Sequence, residues 1–224
     1  MIINKVTINN FYCFLGENVL EFSKGLNIIS ATNSGGKSQL FNAFYWTFFD
    51  KVYADVDNNS TKKEWKDTAR LVVLPDVIKE GALEGDKIYS SVEITLTNEF
   101  HENSEPKGEL IEYIFTKKVV YKKIGDLLSI FSKPELTITY VKDGETYDIP
   151  QYNQSYFLED IFPSSIRKFM WYQGETMDEL YDFSKPSTLK NAINEISYFP
   201  MYDNMGKIVK SSSISIHRKI EKVL

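Results

Sequence analysis

Residues 26–48 read LNIISATNSGGKSQLFNAFYWTF, and this stretch decides the fold. It opens with a short apolar run, passes through a turn of small residues, and continues with apolar residues spaced three or four positions apart. A strand, a glycine-rich turn and a helix N-terminus in this order direct several backbone N–H groups into one concavity. The stretch therefore predicts a phosphate-binding loop over 31–38, with a strand at 26–29 before it and a helix over Lys37–Phe49 after it.

The residue types within this loop suit a nucleoside triphosphate and Mg²⁺. The usual pattern is Gly-x-x-x-x-Gly-Lys-Ser/Thr; Gly36, Lys37 and Ser38 fit it, and Ala31 stands at the first glycine. Lys37 would reach the β- and γ-phosphates, and the Ser38 hydroxyl would complete the Mg²⁺ shell. A plain glycine turn before an amphipathic helix is the alternative. The predicted nucleotide-binding residues are Ala31, Thr32, Asn33, Ser34, Gly35, Gly36, Lys37, Ser38 and Gln39.

Composition limits the classes of protein to consider. The 224 residues suffice for one substantial core with a small lobe attached, and 42% hydrophobic content is that of a globular protein. A net charge of -5 means that any contact with DNA must come from a local basic patch. The single cysteine, Cys13, excludes a disulfide framework, and we interpret it as a small buried residue. No signal-peptide pattern or membrane-spanning run is visible, which favours a cytoplasmic protein without membrane contact.

Periodicity predicts a β-rich middle between two helical regions. Asp143-Gly144 is a strong signal for a hairpin turn, and residues 54–87 are polar enough to suggest a surface insertion. The other expected strands cover 2–11, 19–22, 87–96, 110–121, 136–141, 145–149 and 169–172, and the other helices lie near 156–161, 186–196 and 206–224.

A second motif lies at residues 169–180, which read FMWYQGETMDEL. An apolar strand runs into Gln173, and acidic residues follow in the first turn of a helix. A glutamine at a strand end can touch Mg²⁺ with its carbonyl oxygen and orient a water molecule. An ordinary strand-to-helix turn explains this motif equally well when it is taken alone.

Taken together, the two motifs resemble the N-terminal half of the ATPase head in the SMC, RecN and SbcC class of ABC-type ATPases. The chain is most similar to the SbcC and DndD branch, through INKVTINNFYCFLGENVLEF, NIISATNSGGKSQLFNAF and WYQGETMDEL, the last matching the Q-loop. The resemblance implies a P-loop α/β lobe with a β-rich antiparallel subdomain and ATP held between two heads. It places Lys37 on the phosphates, Ser38 and Gln173 on Mg²⁺, and Asn33 near the γ-phosphate, with Lys37 and Gln173 catalytic. Ser34 stands where the family usually has glycine.

Two parts of a complete head have no match in the sequence. We find neither an apolar strand ending in Asp-Glu nor a Ser-Gly-Gly signature helix outside the loop. The resemblance places both in a C-terminal lobe beyond a long coiled coil, and Val209, Ile216 and Val223 recur at heptad spacing. We therefore expect an N-terminal lobe over 1–205 and the start of a coiled-coil helix over 206–224, although a packed terminal helix fits the pattern equally. Alone, the chain should bind ATP poorly and hydrolyse almost none.

Basic residues suggest where DNA would bind. One cluster lies near the C-terminus and a second lies in the β-rich middle at Lys117, Lys118, Lys122 and Lys123; a solvated surface is the alternative for both. The C-terminal cluster consists of Lys207, Lys210, Arg218, Lys219 and Lys222. The other expected partners are a C-terminal ATPase lobe on the same or a second chain, a second head forming a homodimer, and a nuclease or other effector.

Three functions are open at this point. The leading hypothesis is an ATPase head that couples ATP-driven dimerisation to DNA binding or processing, in DNA repair or antiviral defence, with nucleoid association allowed. The second is a P-loop small-molecule kinase or GTPase, which lacks support because no Asn-Lys-x-Asp guanine motif is present. The third is a nucleotide-gated scaffold that binds ATP without turnover.

Overall fold

The computed structural model describes residues 2–32, 35–55, 63–67, 71–97 and 110–162, together with positions 205 and 210. The chain divides into two units, Met1–Leu158 and Glu159–Leu224, and nearly all of the described residues belong to the first. In chain order the elements are β1 (Ile2–Phe11), β2 (Phe14–Glu21), α1 (Lys37–Phe49), β3 (Lys51–Asp55), β4 (Lys63–Asp67), α2 (Asp76–Gly81), β5 (Lys87–Thr97), β6 (Glu112–Ile124), β7 (Leu127–Lys142), β8 (Glu145–Asp148) and α3 (Gln151–Ile161).

A six-stranded sheet is the framework of the first unit. Its strands lie in the order β2-β1-β5-β6-β7-β8, and every neighbouring pair is antiparallel. The β-rich antiparallel middle predicted from alternation is therefore confirmed. So is the tight turn between β7 and β8, where Asp143 and Gly144 both have positive φ, as a two-residue hairpin loop of type I′ requires.

One face of the sheet carries the core. Val6 and Ile8 of β1, Ile94 of β5 and Phe115 of β6 are all inaccessible to solvent. They share one face because directly opposed residues of paired strands point the same way, and Val6 pairs with Ile94, which pairs with Phe115. We call this the inner face of the sheet and the opposite one the outer face.

Helix α1 covers the inner face, with the bounds that the apolar spacing predicted. Most of its thirteen residues are buried. Phe48 packs edge-on against Phe115, with 5.2 Å between ring centroids, and Trp46 stacks on Phe11 of β1 at the same centroid distance. Asn42 fixes the helix to β3, because its side chain donates to the Tyr53 carbonyl and accepts from the Tyr53 N–H. The helix that follows the glycine turn is thus held against the sheet by its apolar face and tied to β3 by Asn42.

Two expectations about local structure are wrong. The segment 26–29 forms no strand, and Leu26 and Ile28 are 86% and 81% exposed. Within the described residues no other strand lies beside it, so its apolar side chains have nothing to pack on. The region 54–87 is also more than a surface insertion, because it contains β4, which pairs with β3, and because Val73 and Leu74 are buried in the core.

Several predictions fall outside the described residues. These are the strand at 169–172, Gln173, the helix at 186–196, and most of 206–224, of which Lys210 is described as helical and exposed. The division of the chain at 205 and the coiled coil stay predictions. Among the described residues, no helix is both long and apolar enough to cross a membrane.

Candidate nucleotide-binding site

The two glycines of the loop are required by its shape. A Cβ on Gly35 would lie 2.8 Å from the Ala31 Cβ and 2.9 Å from the Thr32 carbonyl oxygen, which is closer than real contacts allow. Gly36 has a φ of 86°, a conformation that a residue with a side chain adopts only under strain. No side chain therefore fits at these two positions, and the backbone of the loop is bare there.

The N-terminus of α1 is free to bind an anion. Gly36 caps the helix without a side-chain hydrogen bond, and no acidic residue lies in the first turn. The first N–H groups of a helix have no partner within the helix, and the helix dipole places partial positive charge there. A glycine cradle leading into such a terminus is the arrangement that binds phosphate in nucleotide-binding proteins.

Lys37 bends back over the loop. Its ammonium group donates to the Ala31 carbonyl at 2.5 Å and to the Thr32 carbonyl at 3.0 Å. Both acceptors are backbone oxygens on an exposed loop, and Lys37 is itself exposed. A phosphate oxygen carries a full negative charge and is a stronger acceptor than a carbonyl. Lys37 can therefore exchange these two bonds for bonds to a bound phosphate.

Ser38 and Gln39 follow in the first turn of α1. The Ser38 side chain is exposed beside the cradle, as a Mg²⁺ ligand must be. The Gln39 side chain accepts a hydrogen bond from Asn42, so it serves the attachment of the helix. In the described part of the chain, no group of three or more His, Cys, Asp or Glu residues is placed to hold a metal. Among the described residues, Ser38 would be the protein ligand of a Mg²⁺ ion here, beside phosphate oxygens and water.

Three of the predicted site residues lie outside the described residues: Asn33, Ser34 and Gln173. The structure brings Ala31, Thr32, Gly35, Gly36, Lys37 and Ser38 together around one cradle, with Gln39 behind it. A triphosphate bound here would meet the bare backbone at Gly35 and Gly36, the Lys37 ammonium and the Ser38 hydroxyl.

The turn between β1 and β2 is a part of the site that sequence reasoning missed. A Cβ on Gly36 would lie 3.0 Å from the Cys13 sulfur and 3.5 Å from the Phe14 ring, so this turn packs against the loop. Its backbone is unusual, because Asn10 and Tyr12 both have positive φ. The Tyr12 N–H donates to the Val73 carbonyl at 2.6 Å and fixes the turn. No local motif announces such a contact between segments more than twenty positions apart.

Cys13 is not the buried residue that we expected. Its side chain is exposed, and it is the nearest side chain to Gly36. Neighbouring atoms still cover part of the thiol, and this partial burial raises its pKa. Burial also raises the pKa of Tyr12 to about 12, so its hydroxyl is neutral at physiological pH. The Tyr12 and Cys13 side chains, in the turn beside the loop, therefore add no negative charge that would repel a phosphate.

The far end of α1 is held by an ion pair. Asp50 caps the helix with a φ of 56°, and its carboxylate pairs with the ammonium of Lys117 on β6, a side chain that is 4% exposed. A cation at the C-terminus of a helix also complements the dipole. Lys117 points to the inner face and Lys118 to the outer face, so the sequence cluster Lys117, Lys118, Lys122 and Lys123 is not one patch.

Comparison with known proteins agrees with this geometry. Residues 5–199 match the model of a protein family described as AAA domain, which covers most of the chain. No curated protein matches the chain.

Proposed function

Because the chain belongs to the AAA domain family of ATPases, we propose that it is the ATP-binding half of an SMC- and SbcC-like head. The observation that carries this proposal is the bare glycine backbone directly before the N-terminus of α1, with the Lys37 ammonium bonded to the carbonyls of Ala31 and Thr32 beside it. Membership of this family favours an ATPase activity over that of a small-molecule kinase or a GTPase. In this proposal ATP draws two heads together and hydrolysis releases them.

Each residue of the cradle has a defined part in this scheme. The N–H groups of the loop and of the first helical turn bind phosphate oxygens. Lys37 gives up its hydrogen bonds to the carbonyls of Ala31 and Thr32 and neutralises the negative charge of the phosphates instead. The Ser38 hydroxyl would hold Mg²⁺, and the ion would supply positive charge against the charge that develops on the phosphates. By the family resemblance, Asn33 lies near the γ-phosphate, and Gln173 reaches Mg²⁺ and orients the attacking water.

The remaining catalytic groups are proposed to come from a C-terminal lobe. The exposure of Leu26 and Ile28 supports the presence of such a lobe, because these two large apolar side chains lie directly before the loop without a packing partner among the described residues. A strand added beside them would remove both from water and give the unpaired backbone a partner. The second head and an effector such as a nuclease complete the proposed assembly, which acts on DNA in repair or in antiviral defence.

The test is nucleotide binding by the chain with Mg²⁺, measured by calorimetry, for the native protein and the Lys37→Ala variant. Because the chain alone should bind ATP poorly, the comparison is made on the chain co-expressed with a candidate C-terminal lobe. We expect Lys37→Ala to weaken ATP binding by at least about tenfold, since it removes a charge-assisted hydrogen bond from a phosphate. Lys51→Ala is the matched control, because Lys51 is an exposed lysine just beyond the same helix. Equal binding by both variants, with unchanged melting temperatures, would contradict the proposed site.

A further inference from the structure

A cavity of about 530 Å³ lies at the end of α1 that is remote from the nucleotide loop. It forms where the C-terminus of α1, the bulged part of β7 and helix α3 come together, and all the residues that line it belong to the first unit. A helix of thirteen residues is about 20 Å long, so the nucleotide site does not reach this cavity. Cavities that hold small molecules have volumes of about 300–1,000 Å³, and this one falls within that range.

Lys117 lines this cavity with more hydrogen-bond donors than it has partners. Its side chain is 4% exposed, and its ammonium pairs with the Asp50 carboxylate. Within the part of the chain that the structure describes, Asp50 is its single partner. An ammonium has three N–H donors, and one carboxylate satisfies two of them at most. At least one N–H therefore lacks a protein acceptor, and leaving a buried donor unsatisfied costs free energy that an acceptor on a bound molecule would recover.

Three further polar side chains of the lining are available to a ligand. These are Ser132 on β7 and Gln151 and Ser155 on α3, whose side chains have no hydrogen-bond partner among the described residues. A hydroxyl and a carboxamide can each donate and accept. Phe48 and Leu136 add apolar surface to the same lining. A few convergent polar groups beside apolar surface are typical of sites that bind small molecules.

The charges that line the cavity cancel. Lys117 and Lys133 contribute two positive charges, and Asp50 and Glu135 contribute two negative ones. An ion of either sign would meet a like charge in the lining, whereas a neutral molecule would not. A hydroxyl group suits a paired ammonium and carboxylate, because it accepts from the ammonium and donates to the carboxylate. The Asp50 carboxylate is 64% exposed, so a group in the cavity can reach it.

We propose that this cavity binds a neutral molecule rich in hydroxyl groups, which is the chemistry shared by a monosaccharide and by the ribose of a nucleoside. One hydroxyl of the ring accepts from Lys117 and donates to Asp50, and others bond to Gln151 and Ser155. The C–H groups of the ring pack on the apolar part of the lining. The inference does not depend on the proposed ATP site, because the two sites lie at opposite ends of α1.

The test is an NMR titration of the full chain with D-glucose, D-ribose and uridine, in the absence of ATP. We expect at least one of them to bind with a dissociation constant of about 1 mM or below, as ligands of this size allow. Binding of a sugar alone indicates a free monosaccharide, and tighter binding of uridine indicates a nucleoside. Lys117→Met should weaken binding at least about tenfold, because it removes the ammonium donor. Ser155→Leu should do the same by filling the cavity, and Gln151→Leu replaces it if it fails to fold.

Controls separate this cavity from the surface of α3 and from the nucleotide loop. Asn153→Leu is the matched control, because Asn153 is exposed on the same helix and does not line the cavity. It should bind the ligand as the native chain does, and so should Lys37→Ala. Cyclohexanol, a ring with a single hydroxyl, should bind at least about tenfold more weakly than the best probe.

Four results would overturn the proposal. The first is no binding of any of the three probes at about 10 mM, which would mean that water alone occupies the cavity. The second is binding of cyclohexanol as tight as that of the best probe, and the third is tighter binding of citrate, an anion. The fourth is normal binding by folded Lys117→Met and Ser155→Leu, which would place the ligand elsewhere on the chain.

Discussion

At the residue scale, the loop depends on positions where no side chain fits. At Gly35, Ala31 and Thr32 leave no room for a side chain. Gly36 combines a positive φ with the close approach of Cys13. Ala31 itself replaces the usual first glycine, and its methyl group is the nearest atom to the Cβ that Gly35 lacks. Alanine at position 31 is therefore compatible with this loop because position 35, which faces its methyl group, is a glycine.

Labelling of Cys13 reports on occupancy of the loop. It is the chain's single cysteine, its side chain is exposed, and its sulfur adjoins Gly36. We predict that ATP with Mg²⁺ slows alkylation about tenfold at about ten times its dissociation constant, because a bound nucleotide covers the thiol. Mass spectrometry of iodoacetamide-treated protein measures the rate.

The same experiment has a pH control and a variant control. Only the thiolate reacts, and partial burial raises the pKa of Cys13. The labelling rate of the folded chain should therefore rise at higher pH than that of the urea-unfolded chain. At the same ATP concentration, Lys37→Ala should reduce the protection to about twofold or less, because its affinity is at least about tenfold lower. Tenfold protection that survives in Lys37→Ala would show that Cys13 does not report on the proposed site.

At the scale of elements, α1 connects the loop to the sheet and fixes its position. Its middle is fixed to β3 by Asn42, its apolar face packs on β1 and β6, and its end is tied to Lys117 by Asp50. A helix fixed at its end and along its length holds its N-terminus in place. The phosphate cradle can therefore keep its shape although the residues before it form no regular structure.

Removing Asp50 from the ion pair at the end of α1 should cost more stability than removing Lys117. We predict that Asp50→Asn lowers the free energy of unfolding by about 1–3 kcal/mol, because it leaves the buried Lys117 ammonium without a counter-charge. Asparagine keeps the shape of the side chain and tolerates a positive φ. Lys117→Met should cost less than about 1 kcal/mol, because the remaining Asp50 carboxylate is 64% exposed and stays hydrated. Urea unfolding measures both, and a larger loss for Lys117→Met would refute this account.

At the scale of the whole molecule, the sheet presents two different surfaces. The inner face is covered by α1 and serves the nucleotide site, while the outer face is open and carries lysines with exposed rings. The apolar segment 26–29 is exposed in the same unit. An exposed apolar segment is what the proposed assembly with a C-terminal lobe would require.

The segment before the loop provides a test of the proposed C-terminal lobe. We predict that Ile28→Lys leaves the melting temperature of the isolated chain unchanged, because Ile28 is 81% exposed. In the chain co-expressed with a candidate lobe, it should weaken assembly by at least about tenfold, because a lysine would be buried without a partner. Light scattering measures the complex.

Leu83→Lys is the matched control, since Leu83 is an exposed apolar residue on the loop after α2. It should assemble with the lobe as the native chain does. Equal assembly by Ile28→Lys and Leu83→Lys would show that the segment 26–29 does not contact the lobe.

The sequence by itself determined the helix, the antiparallel strands and the chemistry of the loop, because each rests on local spacing or on a short motif. The exact bounds of α1 and the Asp143-Gly144 hairpin are of this kind. It failed at 26–29, where apolar residues predict a strand but pairing depends on a neighbour elsewhere. Strand formation is a property of two segments, and one segment cannot reveal its partner.

Only the tertiary structure decided which residues meet. It placed Cys13 and Phe14 beside Gly36, buried Lys117 against Asp50, and separated four clustered lysines onto two faces of a sheet. These outcomes follow from strand register and from contacts between distant segments, since side chains alternate between faces and a neighbour in sequence is not a neighbour in space. The chemistry of the phosphate loop is therefore local, whereas the walls around it and the surface behind it are set by the fold.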